Sequence, residues 1–391
     1  MKLVIHDLNA AEWAALGGRF DGWRAVSDNG AIRPCVGCFA CWDRTPGACV
    51  IRDGYGDMGA LLHGAEEVTV VSRYTHGGFS GFVKNVFDRS LGYVLPQFEV
   101  VKGETHHRRR YDEDKPITFI FHGRALDEEE QASARRYVTA VCANLRAHVR
   151  AVEFWEDGTV PAPVERPARE GKRRLVLLNG SMRAAKGNSA KLARKLMERT
   201  RRPAELVHLK DGAPSPEAAD TLVLCVPLYV DGLPAQVVRM MERMEREYRG
   251  VGARVYVLAN MGLYESRQLA SLFDAVRQWC RAMGFDYCGG LGVSAGELLG
   301  VLMERLPFRL GATRRAALGI DALARAIDGG KAMADVYAEP FLFPRRLYLW
   351  IANVNWNRLA RQNGIPPRAL YRRLEELPSE DHTQAREAKQ T

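Results

Sequence analysis

The chain has 391 residues, of which 47% are hydrophobic and 26% charged, and it carries a formal net charge of +9. This length favours two or three domains, and the composition excludes a mainly disordered or collagen-like chain. Arg345 and Arg346 interrupt the apolar stretch 341–356, so we predict no transmembrane segment, and the first residues lack a signal-peptide pattern. We therefore expect a cytoplasmic protein.

The excess of positive charge favours acidic ligands such as nucleotide phosphates. Its densest run, 106–110, is followed directly by the acidic segment 111–114, which neutralises it. A basic cluster balanced by its own neighbours is a poor nucleic-acid footprint. We therefore predict no nucleic-acid partner.

Short apolar runs alternate with helix-like segments along both halves of the chain. The runs are brief, bounded and largely aliphatic, which is typical of buried parallel strands. Helices are predicted between them, for example at 189–200 and 269–283. This alternation occurs twice and predicts an α/β fold with two doubly wound parallel-sheet domains. The predicted strands are 3–5, 68–71 and 117–121 in the first half and 175–178, 222–226 and 255–258 in the second.

The second half repeats the first. Segment 72–77 aligns with 227–232 at an offset of 155 residues, whereas the first strands are offset by 172. We interpret this pattern as a tandem duplication with insertions in the first copy. The predicted domains are 1–157, 172–310 and a helical C-terminal extension at 311–378, with a linker near 156–174 and a disordered tail at 379–391.

The C-terminal extension combines helical spacing with basic charge. Helices are predicted at 316–327 and 350–361. Amphipathic packing against the rest of the protein is the favoured interpretation, and contact with a membrane surface is the alternative.

A polar loop follows the first strand of the second half, where doubly wound sheets bind their ligands. It reads Asn-Gly-Ser-Met-Arg-Ala-Ala-Lys-Gly-Asn-Ser from residue 179 to residue 189. Its backbone N–H groups, the next helix start and the Ser181 and Ser189 hydroxyls can together hold a phosphate, with charge from Arg183 and Lys186. Ser189 would equally serve as a simple N-cap.

Two further loops should reach the same edge of the sheet. Segment 227–234 follows the next central strand, and segment 259–264 follows the strand after that. Tyr229 offers a flat face for stacking, while proline and glycine fix the backbone path. Three converging loops predict a phosphate site beside a place for an aromatic ring.

These loops and a Cys-rich stretch at 35–49 resemble flavodoxin-like, NAD(P)H-dependent FMN reductases, including the iron–sulfur flavoproteins of that group. The resemblance covers residues 1–300 as two tandem flavodoxin-like copies. It implies an FMN site whose ring lies against residues 227–229 and Gly262. The assigned residues are Ser181, Arg183, Asn188 and Ser189 for the phosphate, and Pro227, Leu228, Tyr229, Asp231, Gly232, Asn260 and Gly262 around the ring.

The first half departs from the pattern of that family. After its first strand it lacks the Gly-Ser-x-Arg and Asn-Ser segments, and Asp7 and Glu12 would repel a phosphate there. Segment 72–80 nevertheless keeps the form of a ring-binding loop. We predict one FMN per chain, held by the second half, with a second FMN as the alternative.

The eight cysteines fall into two groups. Cys142, Cys225, Cys280 and Cys288 lie in apolar segments and are expected to behave as small core residues. The others have the spacing C-x2-C-x2-C-x7-C, which suits a [4Fe–4S] cluster; zinc and unliganded thiols are the alternatives. Disulfides are not expected in a reducing cytosol. The predicted metal ligands are Cys35, Cys38, Cys41 and Cys49.

The predicted activity is that of an FMN-dependent NAD(P)H oxidoreductase. Electrons would pass through FMN, with the cluster as an additional carrier, to a small oxidised acceptor such as a quinone, azo or nitro compound. The sequence assigns no catalytic residue, and Tyr229, Tyr74 and His76 are the candidates. No Ser–His–Asp arrangement or carboxylate pair stands out, which fits a protein whose cofactor does the chemistry. An electron carrier without its own substrate and a non-catalytic metal-binding scaffold are the alternatives. A redox partner protein and a homodimer are left open.

Overall fold

The computed structural model describes residues 1–162, 164, 174–212, 219–249 and 252–374. Its first half contains a five-stranded parallel sheet of order β2-β1-β3-β6-β7 and an antiparallel hairpin, β4–β5. The elements are β1 (Lys2–His6), α1 (Ala10–Leu16), β2 (Arg24–Ser27), α2 (Ala40–Asp43), α3 (Met58–Gly64), β3 (Glu67–Arg73), α4 (Gly81–Arg89), β4 (Val94–Val101), β5 (Glu104–Arg109), β6 (Pro116–Arg124), α5 (Glu128–Leu145) and β7 (His148–Asp157).

The second half contains a six-stranded parallel sheet of order β9-β8-β10-β11-β12-β13. The elements are β8 (Leu175–Asn179), α6 (Asn188–Met197), β9 (Ala204–His208), β10 (Thr221–Pro227), α7 (Ala235–Tyr248), β11 (Arg254–Asn260), α8 (Ala270–Met283), β12 (Asp286–Val293), α9 (Gly296–Arg305), α10 (Arg314–Gly329), β13 (Val336–Ala338) and α11 (Arg345–Gln362).

Both sheets have the flavodoxin-like strand order, in which the second strand of the unit lies outside the first and the third returns to its other side. The predicted α/β fold with two tandem flavodoxin-like domains is confirmed, and each predicted strand and helix has its counterpart. The strands form because their aliphatic runs are covered by helices on both faces; every residue of β8 and β10 is buried. The predicted tail at 379–391 and most of the linker lie outside the described residues.

Helices α4, α5, α7 and α8 join the two halves. Asp88 of α4 accepts the N–H of Ala235, the first residue of α7, at 2.9 Å. Glu242 of α7 accepts the N–H of Gly81, the first residue of α4, at 3.0 Å. Each half thus supplies a carboxylate to the positive end of a helix in the other half, as in a symmetric dimer.

The register of the repeat differs by one residue from the prediction. Equivalent residues of the two carboxylate contacts are 154 positions apart, and the bridge Thr75–Gly78 matches Tyr229–Gly232 at the same spacing. The predicted offset of 155, which matched Tyr74 with Tyr229, is therefore wrong. The first strands shift in the same sense, since Lys2 and Leu175 hold equivalent register positions 173 apart. The identical tyrosines Tyr74 and Tyr229 favoured the wrong alignment. The geometry of the two turns shows instead that Thr75 is the equivalent of Tyr229.

The C-terminal region covers both halves. It supplies the strand β13 in addition to the predicted helices, and β13 pairs with β12 at the edge of the second sheet. The Asn353 side chain of α11 forms two hydrogen bonds with the Phe98 backbone of the hairpin, at 2.7 and 3.1 Å. Buried Arg110 donates to the carbonyls of Leu370 and Arg372 at 2.8 and 2.6 Å. The region is therefore anchored to the first half by a buried cation. None of the described helices is long and apolar enough to cross a bilayer.

Candidate functional site

The loop between β8 and α6 is curled around Ser181. The Asn179 side chain accepts the Ser181 N–H at 3.1 Å and donates to the Ala184 carbonyl at 3.1 Å. The Ser181 hydroxyl is buried and accepts the Arg183 N–H at 3.3 Å. Residues of the predicted phosphate loop therefore fix its path, and α6 begins at its end with free N–H groups at its first turn.

Two of the four predicted phosphate ligands hold neighbouring loops instead. The Ser189 hydroxyl donates to the Asn260 side chain at 2.6 Å, and the Asn188 amide donates to the Gly296 carbonyl at 2.9 Å. Arg183 lies 3.5 Å from the carboxylate of Glu297, and both side chains are exposed. Several N–H groups of this loop, including those of Ser181, Arg183 and Ala184, donate within the loop itself, so an anion there would depend on the remaining N–H groups and the Ser181 hydroxyl, with Arg183 able to leave an exposed, weak ion pair.

The second loop begins where β10 ends. The Leu228 N–H donates to the Asn260 carbonyl at 2.8 Å, and Pro227 pairs with Asn260 in the sheet register, so the two loops are joined. Val230 and Asp231 both have positive φ, at 38° and 58°. The turn therefore has an uncommon backbone conformation for side-chain-bearing residues, as the proline- and glycine-rich sequence indicated.

A cavity of about 530 Å³ opens beside this second loop. The second half contributes Leu228, Tyr229, Asp231 and Gly262 to its walls, which are four of the residues predicted around a flavin ring. The remaining predicted residues lie on the adjoining loops or, in the case of Gly232, against the first half. The structure thus brings the phosphate loop and the ring loop to one sheet edge, and it places a cavity beside the ring loop.

The other walls of the cavity come from parts of the chain that sequence reasoning did not assign to the site. Phe39 and Trp42 stack with ring centres 5.4 Å apart, and Trp356 of α11 packs edge-on against both. Trp42 Nε1 donates to two backbone carbonyls at 3.0 Å, which fixes its ring. His107 also lines the cavity, and burial lowers its pKa to about 4, so it is neutral at pH 7. Clusters of aromatic residues were visible in the sequence, but their meeting point was not.

Asp231 is a buried carboxyl on the cavity wall. Its Oδ1 accepts the Asn144 amide N–H at 2.6 Å, and Asn144 Oδ1 lies 2.7 Å from His106 Nδ1. Its Oδ2 is buried and has no hydrogen-bond partner among the described residues. Loss of water raises the pKa of Asp231 to about 7, against the opposing effects of Asn144 and Lys84. The site therefore contains a carboxyl group that can hold or release a proton near neutral pH.

The Cys-rich loop meets the cavity through Cys35 and Gly37. Gly37 has a φ of 63°, and a methyl group in its place would overlap the Tyr229 hydroxyl. Burial, helped by the negative charge of Asp88 and by the neighbouring Cys49 and Cys38, raises the pKa of Cys35 to about 12. The first half therefore places its cysteine loop directly against the ring loop of the second half.

The four predicted metal ligands are close enough to influence one another. Burial and the other three thiols raise the pKa of Cys41 well above its ordinary value, with Arg110 opposing. Arg89, held by Asp53 at 2.8 and 2.9 Å, donates to Cys49 Sγ at 3.0 Å. No three His, Cys, Asp or Glu side chains of the described residues surround a single ion-sized point. The arrangement of the described residues therefore gives no support to the predicted metal site.

The other two catalytic candidates lie elsewhere. Tyr74 and His76 line a second cavity of about 580 Å³, where His76 Nε2 is 3.4 Å from a carboxylate oxygen of Glu245. Burial lowers the pKa of His76 to about 3. The structure therefore does not bring Tyr74 or His76 to the cavity lined by Tyr229.

The first-half counterpart of the phosphate loop is closed by its own acidic side chains. Both carboxylate oxygens of Asp7 accept the Arg73 N–H at 3.0 Å, and His122 Nε2 lies 2.8 Å from Oδ1. Glu12 accepts the Arg73 guanidinium at 2.8 Å. A carboxylate of the chain itself therefore takes these donors in the first half.

The fold and these loops define a protein with two flavodoxin-like domains. No protein-family model and no curated protein matches the chain. It is similar to the solved structure of the Trp repressor binding protein from Bacillus subtilis, with 18% identity over 31% of this chain and 84% of that one and a TM-score of 0.27. It is also similar to a flavone reductase, with 12% identity over 42% of this chain and 66% of that one and a TM-score of 0.31. The match spans just under two thirds of the flavone reductase.

Proposed function

We propose that the chain is an FMN-dependent oxidoreductase that uses NAD(P)H to reduce a small oxidised acceptor. The observation that carries the proposal is the meeting of the ring loop and the cysteine loop around one cavity, with the phosphate loop following the strand next to that of the ring loop at the same sheet edge. The chemistry that FMN supplies when bound is to take hydride from NAD(P)H and to give electrons to the acceptor.

The residues present fit such a cofactor in two respects. The buried Ser181 hydroxyl and the free N–H groups at the start of α6 suit a phosphate dianion. Leu228, Tyr229 and Gly262 offer an apolar and aromatic wall for a ring system beside that loop. Phe39 and Trp42 add stacked aromatic rings to the walls of the same cavity.

Asp231 is the proton-bearing group of the proposed site. Reduction of a quinone, nitro or azo group consumes protons as well as electrons, so a nearby acid assists it. Asp231 has the required proton affinity and a carboxyl oxygen without a protein partner. The Asn144 amide positions that carboxyl by a hydrogen bond of 2.6 Å, and His106 in turn contacts the Asn144 side-chain oxygen at 2.7 Å.

The four cysteines of the first half are proposed as ligands of an iron–sulfur cluster. Thiolates are the donors that such clusters take, and Arg89 already donates an N–H to Cys49 sulfur, a kind of contact that tunes cluster potentials. Unliganded thiols are the alternative. A group held there would lie beside the ring loop because Cys35 lines the same cavity.

The proton-bearing Asp231 on the wall of the cavity favours an enzyme over an electron carrier, because a carrier needs no acid for the reduction of a small acceptor. The test is an absorption spectrum of anaerobically purified protein, with iron and sulfide assays and NAD(P)H oxidation in the presence of quinone, azo and nitro compounds. Bound FMN together with turnover supports the proposal. Iron and sulfide found in the purified protein in addition to FMN support the cluster. Protein that stays colourless after incubation with FMN would overturn the proposal, while bound FMN without turnover would favour the carrier.

A further inference from the structure

Helix α11 presents an apolar stripe to solvent. Leu347, Trp350, Ile351 and Val354 follow the i, i+3, i+4, i+7 spacing of one helix face and are all exposed, Trp350 by 63%. The buried side of the same helix, at Tyr348, already packs on the core of the second half. The stripe is therefore not needed for packing within the described chain, and an exposed apolar face of this kind marks an interaction surface.

The apolar stripe lies in the most basic part of the protein. Residues 301–374 contain 13 Lys and Arg but only five Asp and Glu, so they account for a charge of +8 out of the +9 of the whole chain. Exposed Arg346, Arg358 and Arg361 lie on α11 itself. Among the residues that the structure describes, ten of the fifteen large exposed hydrophobic side chains also follow residue 300. Positive charge and exposed apolar surface therefore coincide.

The stripe borders the cavity of the proposed site. Ile351 and Arg358 of α11 line the cavity together with Val301 and Arg305 of α9, and all four are exposed. Exposed lining residues lie where a cavity meets solvent. The opening is thus flanked by the apolar and basic surface of α11 on one side and by α9, whose Glu297 also lines the cavity, on the other.

We propose that this surface, named the α11 face and defined by Leu347, Trp350, Ile351, Val354 and the arginines beside them, binds the surface of an anionic lipid bilayer. Aliphatic and Trp side chains enter the headgroup boundary while arginines pair with lipid phosphates. A second copy of the chain is a poorer occupant, because a twofold contact would place this basic surface against itself. The identity of the acceptor rests on the proposed function: it is then a lipid-soluble quinone. In that reaction NAD(P)H, one proton and the quinone give NAD(P)⁺ and the hydroquinone.

The test is co-sedimentation of the full chain with vesicles of phosphatidylcholine alone or mixed with phosphatidylglycerol. We expect binding to the anionic vesicles that weakens with salt. Changing Leu347→Ser and Trp350→Ser together should weaken binding at least about tenfold, because each removes an apolar side chain from the boundary. Leu318→Ser is the matched control, since exposed Leu318 lies on α10, which packs on the opposite face of the second sheet, and binding should be unchanged.

Equal binding by the double variant and the parent chain would overturn the proposal, as would equal binding to neutral vesicles. Dimers that dissociate in the double variant, without vesicle binding, would identify a second copy as the occupant instead. Retention on immobilised polyglutamate without vesicle binding would identify an acidic protein partner. Co-sedimentation does not require bound flavin, so it tests the membrane contact by itself. The FMN content of the purified protein tests the proposed function separately. The quinone assignment fails if the double variant loses no more activity with a quinone dissolved in vesicles than with a water-soluble one.

Discussion

The titration of Asp231 can be tested by its effect on folding stability, using Asp231→Asn in the flavin-free protein. Asparagine keeps the volume of the side chain, can accept the same N–H from Asn144, and tolerates the positive φ of 58° at this position. The variant removes only the titratable proton. It thereby isolates the energetic consequence of burying this carboxyl.

The sign and the magnitude follow from the raised pKa. The folded protein holds the proton of Asp231 up to about pH 7, whereas the unfolded chain releases it near 3.8. The free energy of unfolding of the parent chain, relative to the variant, should therefore fall as the pH rises from about 4 to about 7 and stay level above that. One pKa unit corresponds to about 1.4 kcal/mol, so the full difference is about 4 kcal/mol in favour of the variant at pH 8.

Urea denaturation of both proteins at a series of pH values, followed by circular dichroism, measures this difference. Exposed Asp21→Asn is the matched control, because neither the folded nor the unfolded state buries its carboxyl, and its difference from the parent should stay flat. An Asp231→Asn difference that does not change between pH 4 and pH 8, or a variant less stable than the parent at pH 8, would show that burial does not hold this proton.

Three other perturbations test separate parts of the site. Ser181→Asp should abolish flavin copurification by placing a carboxylate at the phosphate position, whereas Ser181→Ala should retain most of it; equal flavin absorbance in both variants would refute the loop assignment. Asp88→Asn should lower the free energy of unfolding by about 3–5 kcal/mol, because it leaves the buried Lys84 cation unpaired, and adding Lys84→Met should recover much of the loss in chemical denaturation. Cys41→Ser should reduce iron and sulfide content while sparing FMN; unchanged iron would leave the loop as unliganded thiols.

Local patterns determined the elements of this protein. Residues 175–178 are all aliphatic, and an unbroken aliphatic run of this length is typical of a strand that is covered on both faces. The loops after those strands were also predictable as ligand sites, because parallel strands bring their carboxyl ends to one edge. The spacing of the four cysteines identified one chemically distinct loop. Each of these inferences needs only residues that are neighbours in the chain.

Contacts between distant residues decided the rest. The raised pKa of Asp231 depends on its burial where the two halves meet, and the aromatic wall depends on Trp356 of the C-terminal helix meeting Trp42. The same holds for Asn188, which the sequence offered as a phosphate ligand and which packing turned toward Gly296. Burial and hydrogen-bond partners are properties of the packed chain, and no period or spacing encodes them. The sequence alone therefore determined the two sheets and their loops, whereas only the packing of one half on the other decided which side chains face the cavity.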